Sequence, residues 1–115
     1  MIAPGSLLAQ LTTTAGPVLA YSAVHQTEIT RIIACNNGAT NDRFSLWHAD
    51  EGQAATAGCA LYIGNVISGN ATIIPVSAAT DGGGITVKAG GRFYCGTSGT
   101  DVVTFSIYGN TRAGR

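Results

Sequence analysis

The chain has 115 residues, 45% of them hydrophobic and only 10% charged, with six Lys and Arg balanced by six Asp and Glu for a formal net charge of zero. That length fits one domain able to bury roughly two-thirds of its extended surface, and the hydrophobic content exceeds that of disordered segments. The basic residues are too scattered to form a nucleic-acid patch, and no apolar run approaches a membrane span.

Gly occurs 16 times, about twice its ordinary share. With abundant Thr and Ala, this composition suits short strands joined by tight turns, because Gly and Thr are poor helix formers. The charged fraction compares with about 25% in an ordinary soluble domain. A small monomer has a large surface for its volume and usually keeps it soluble with charge. Much of this surface is therefore expected to be covered by neighbours, the alternative being a monomer wetted by Thr, Ser, Asn and Gly. The first residues lack the charged start and cleavage site of a secretory signal, so assembly in a cytosol is expected. Cys35, Cys59 and Cys95 cannot all pair within one chain and show no metal-ligand spacing. Buried free thiols are favoured over one disulfide with a leftover thiol.

In chain order, residues 1–15 form an N-terminal arm or edge strand that carries the apolar patch Leu7, Leu8 and Leu11. Residues 16–115 form a single β-sandwich domain. Pro17 suits a strand start because it cannot donate to a ladder, and Val18 to Tyr21 follows as a first core strand. Thr27 to Cys35 and Asp42 to Ala49 flank NNGATN, a run of turn formers, and the pattern predicts a hairpin with a loop of about six residues. On the second strand Phe44, Leu46 and His48 share one face, and Arg43, Ser45, Trp47 and Ala49 take the other. The Phe44 and Leu46 face is expected to enter the core, which leaves Trp47 outward.

Gln53 to Ala57 reads as a small-residue loop. Ala60 to Ile67 reads as a strand interrupted at Gly64-Asn65 by a turn or bulge. Ser68-Gly69-Asn70 is a turn, and Ala71 to Ser77 is a strand whose Pro75 argues for an edge. Asp81 to Gly84 is a further turn before the short strand Ile85 to Lys88. Arg92 to Cys95 follows, and Gly96 to Thr100 returns the chain into Asp101 to Gly109. There Val103, Phe105 and Ile107 alternate with Val102, Thr104, Ser106 and Tyr108 at the strand period. About eight short strands punctuated by Gly indicate an all-β fold, an antiparallel β-sandwich or jelly-roll-like barrel.

No enzymatic chemistry is expected. His48, Asp50 and Glu51 are the only close cluster of His and carboxylates, too few donors for a structural zinc or hard-cation site. No catalytic, cofactor-binding or metal residues are assigned. Gly82-Gly83-Gly84 lacks the Lys and Ser/Thr of a phosphate loop, and no serine sits in a GxSxG elbow. Trp47, Tyr62 and Tyr94 are candidate interface anchors because aromatic residues concentrate binding energy, although each could equally fill the core.

Two runs carry a resemblance. The first is Arg31-Ile32-Ile33-Ala34-Cys35-Asn36 followed, after a small-residue turn, by Phe44-Ser45-Leu46-Trp47-His48. The second is Gly84 to Cys95 followed by Val102 to Gly109. Together they resemble the opening hairpin and closing strands of small β-sandwich structural proteins of tailed bacteriophages, over somewhat under half the chain. The resemblance implies a virion component, and a capsid decoration or cement protein that binds between capsid subunits is the favoured form. A neck or tail adaptor or tip component is the alternative within the virion, and a carbohydrate-binding module is the alternative from another class. The implied partners are the major capsid protein or other virion proteins, together with further copies of the chain, a trimer being suggested by threefold lattice positions. No nucleic acid, membrane or cofactor is implied.

Overall fold

The computed structural model describes residues 6–12, 17–50, 60–77, 84–98 and 103–111, and all regular structure among them is strand. The strands are β1 (Ser6–Thr12), β2 (Val18–Ser22), β3 (Thr27–Asn36), β4 (Asp42–Ala49), β5 (Ala60–Ile67), β6 (Thr72–Ser77), β7 (Ile85–Val87), β8 (Arg92–Thr97) and β9 (Val103–Thr111). They form two antiparallel sheets. One runs β1-β9-β3-β6 with β7 also paired to β3, and the other runs β2-β8-β4-β5. The all-β sandwich expected from composition and alternation is the fold. Among the described residues it has nine strands, against about eight expected, since Ser6–Thr12 of the N-terminal segment pairs along β9.

One apolar core joins the two sheets. Ile29, Ile32 and Ala34 of β3 and Val103, Phe105 and Ile107 of β9 face Phe44 and Leu46 of β4 and Phe93 and Cys95 of β8. Each fully buried Ile, Leu or Phe contributes about 1.5–3 kcal/mol. Phe44 bridges the layers, with ring centroids 6.4 Å from Phe105 and 5.6 Å from Tyr62. In β3 the strict alternation slips once. Ile29 and Ile32 lie three residues apart yet both are fully buried, because Thr30 is an extra residue against β9 between Ile29 and Arg31.

The predicted hairpin does not form. β3 lies between β9 and β6 in the five-stranded sheet, and β4 lies between β8 and β5 in the other. Residues 37–41 therefore arch from layer to layer. The apolar faces of β3 and β4 explain this outcome: both sets of side chains are buried by facing each other across the core, which side-by-side pairing within one sheet would not achieve. Asn36, fully buried, fixes the arch. Its Nδ2 donates to Thr40 O at 2.9 Å and to Ile67 O at 3.1 Å, and its Oδ1 accepts from the Gly38 N–H at 2.9 Å.

The turn between β5 and β6 packs on this arch. Asn70 donates its N–H to Gly38 O, and Asn36 donates its own to Ala71 O. Asn70 has φ of 58°, a left-handed conformation that Asn tolerates better than most residues. A Cβ on Gly69 would sit 2.3 Å from Ala39 O, so only glycine allows the two turns to approach. β8 and β9 likewise lie in opposite sheets and not in a returning hairpin. Val18–Ser22, expected as a core strand, is instead the half-buried edge strand β2, because its single inner neighbour is β8. Cys59, Glu51, the Gln53 to Ala57 loop and Asp81-Gly82-Gly83 lie outside the described residues.

The edges share one device. Against its inner neighbour, β1 carries an extra residue between Leu7 and Ala9, and β2 carries one between Leu19 and Tyr21. β6 carries one between Ile73 and Val76, and β5 carries two across Ala60 to Asn65. β7 is only three residues long. Bulges twist an edge and break the spacing that another strand needs, a role that charged side chains often fill elsewhere.

Candidate interaction face

Outward side chains of the four-stranded sheet form the most apolar exposed surface among the described residues. Register sets Leu19 of β2 opposite Tyr94 of β8, Tyr94 opposite Trp47 of β4, and Trp47 opposite Ala60 of β5, giving one row across all four strands. Trp47 and Tyr94 are half-buried side by side. On β5, Leu61 and Ile63 alternate with inward-packed Tyr62, and Val66 stands opposite Arg43. Leu19, Leu61, Ile63 and Val66 are 44–57% exposed, and on one sheet face they gather as a patch and are not scattered singly.

The two Arg residues of this face, Arg43 and Arg92, lie toward its ends. The Arg43 guanidinium donates from Nη1 to Gly64 O at 2.9 Å, and the Gly64 N–H donates to Ser45 Oγ at 3.0 Å. These bonds hold the irregular middle of β5, where Gly64 has φ of 62°.

The outer face of the five-stranded sheet differs in chemistry. Gln10 donates to Ser106 Oγ at 2.9 Å, the Thr12 and Thr104 hydroxyls meet at 3.0 Å, and Asn37 donates to Thr104 at 3.4 Å. Thr72 donates to Cys35 Sγ, which donates to Asn37 Oδ1. This surface is mixed: its hydroxyl and amide groups bond to one another, while Leu7 of β1 and Ile74 of β6 are half-exposed at its two edges.

The candidate residues separate accordingly. Trp47 and Tyr94 come together on the apolar face. Tyr62 points inward, packs on Phe44 and donates its hydroxyl to Pro75 O at 2.7 Å, tying β5 to β6 across the layers. Leu8 and Leu11 pack on the core, whereas Leu7 is half-exposed on β1, at an edge of the other sheet. Leu19, Leu61, Ile63 and Val66 escaped the sequence reading. For Leu61 and Ile63 the signal existed, since they flank Tyr62 at the strand period; Leu19 required knowledge that β2 is an edge.

Chemistry elsewhere is sparse. His48 Nε2 lies 3.7 Å from Asp50 Oδ1, beyond hydrogen-bond range, and no group of three or more His, Cys, Asp or Glu among the described residues is placed to hold a metal. Cys95 is fully buried, and burial pushes its thiol pKa far up. A depression of about 250 Å³ is lined by Asn41, Asp42, Arg43, Val66 and Ser98. The Asp42 Oδ1 there already accepts from the N–H groups of Arg43 and Ser98, at 2.7 and 3.2 Å. No protein family, curated protein or solved structure matches the chain.

Proposed function

We propose that this chain is a structural component of a tailed-phage virion, acting as a capsid decoration or cement protein lodged between capsid subunits. The observation that carries the proposal is the apolar outer face of the four-stranded sheet on a chain with so little charge. Such a surface gains free energy when water leaves it, and little electrostatic repulsion opposes close packing. The likeness of the Arg31 to His48 and Gly84 to Gly109 runs to small phage sandwich proteins supplies the setting. Bulged edges argue that contacts are made by side chains on the faces and turns, with strand addition a lesser contributor. Purified protein mixed with undecorated capsids is expected to bind and to raise their resistance to heat. Absence of both effects rejects the capsid role, and labelling of intact particles separates shell from neck or tail.

One observation favours a reading from a different class. Trp47 and Tyr94 lie side by side on an exposed sheet, as a sugar-stacking platform would require. A glycan array with a Trp47→Ala control decides it, and a blank array removes it.

A further inference from the structure

We infer that Asn37 is a covalent modification site, held unreactive by the arch between the layers and committed to an irreversible change once the arch opens. The inference is independent of the virion reading, since it rests on the arch alone.

Asn37-Gly38 is the only Asn-Gly pair in the chain. A glycine after asparagine presents a backbone nitrogen that no side chain shields. In the reaction that this pair supports, the Gly38 nitrogen attacks Asn37 Cγ. The new N–Cγ bond forms as the Gly38 N–H proton is lost, and the side-chain amide nitrogen leaves as ammonia. The product is a five-membered succinimide. Water opens the ring at either carbonyl to give aspartate or isoaspartate. Each adds one negative charge to a chain whose formal net charge is zero.

The groups this reaction uses are tied elsewhere in the folded protein. The Gly38 N–H donates to Asn36 Oδ1 at 2.9 Å, and Gly38 O accepts from the Asn70 N–H at 2.8 Å, so the glycine is fixed through both of its backbone groups. Asn37 Oδ1 accepts from Cys35 Sγ at 3.3 Å, and Asn37 Nδ2 donates to Thr104 Oγ1 at 3.4 Å. Cys35 and Thr104 stand opposite each other on β3 and β9. The amide is therefore drawn back along β3, away from the nitrogen that follows it. Succinimide closure requires the arch to open. Isoaspartate then blocks the return, because its main chain runs through the former side chain and is one methylene longer. The arch has no slack for that insertion, since a Cβ on Gly69 would already collide with the Ala39 carbonyl.

Folded protein, guanidinium-unfolded protein and folded Asn36→Ala are aged side by side at mildly alkaline pH. Residue 37 is followed by peptide mass and by enzymatic methylation of isoaspartate. Wild-type Asn37 is expected to react at least about tenfold more slowly folded than unfolded. Asn36→Ala, which frees the Gly38 N–H, is expected to recover much of that difference. Across sub-denaturing guanidinium the wild-type rate is expected to stay flat while labelling of the buried Cys95 climbs, because opening the arch exposes little surface and global unfolding exposes much. The aged fraction with the added charge is expected to unfold at a lower temperature than Asn37→Asp, which has that charge on an ordinary main chain. Four results each overturn the inference: folded Asn37 reacting as fast as unfolded, an Asn36→Ala rate equal to wild type, a wild-type rate that climbs with Cys95 labelling, or an aged form as stable as Asn37→Asp. The wild-type comparisons need no variant, so misfolding of Asn36→Ala would not shield it.

Discussion

Replacing Asn36 with Ala tests the account of how the two layers are joined. Asn36 is fully buried and serves three backbone groups, the carbonyls of Thr40 and Ile67 and the N–H of Gly38. Alanine removes all three partners and leaves a void the size of an amide. The Ile67 bond is buried, so its carbonyl loses a donor that water cannot replace, at a cost of about 1–3 kcal/mol. The other two bonds are only partly buried, and each costs about 0.5–1 kcal/mol. The sum is on the order of 3 kcal/mol, which for a domain of this size lowers Tm by about 12 °C. Urea and thermal unfolding monitored by circular dichroism measure it, an unchanged urea m-value showing that the comparison is sound. Asn36→Asp sharpens the test. It keeps an acceptor for Gly38 but sets a buried carboxylate against two carbonyl oxygens, so its pKa in the fold rises above the unfolded value of about 3.9. Its stability deficit must therefore grow as pH climbs past that value. An Asn36→Ala loss below about 1 kcal/mol, with no pH-dependent deficit in Asn36→Asp, would refute the reasoning.

Gly69→Ala is expected to destabilise by about 1–3 kcal/mol in the same unfolding assay, because its new methyl meets the Ala39 carbonyl and forces backbone to move. Thiol labelling of the native protein, mapped by peptide mass, is expected to modify Cys35 and to spare Cys95 until the fold opens. Above the ordinary thiol value of 9.0 the unfolded chain ionises Cys95 while the folded chain does not. The wild type is therefore expected to lose about 1.4 kcal/mol per pH unit relative to its Cys95→Ala variant, measured by urea titration at rising pH. Trp47→Ala is expected to weaken binding to undecorated capsids at least tenfold in a co-sedimentation assay while costing about 1 kcal/mol of stability, since the ring is only half-buried.

Where a single strand carried its own pattern, the sequence was a sufficient guide. Alternation in Val103 to Gly109 marks the faces of β9, and Phe44 and Leu46 identify the buried side of β4 and hence the outward direction of Trp47. Pairing was less legible. NNGATN is equally good chemistry for a hairpin and for an arch between layers. What decides is whether the apolar faces of β3 and β4 meet across a core, a property of strands distant in the chain. Tyr94 and Trp47 are neighbours only because β8 lies against β4, forty-odd positions away, so no local pattern could reveal their row. The bulges are partly visible, as the Gly64-Asn65 interruption was, but the extra residues in β1 and β2 involve ordinary Leu and Ala.

β9 lies between β1 and β3, so a central strand of the five-stranded sheet comes from near the C-terminal extreme of the described chain and pairs with two strands from its first third. During synthesis on a ribosome, β3 emerges long before β9 exists to pair along it. One side of β3 stays unpaired until β9 leaves the exit tunnel, and only then does the five-stranded layer close. Folding of this molecule is thus a late event that waits on translation, slow for its size because its strand pairings span most of the chain.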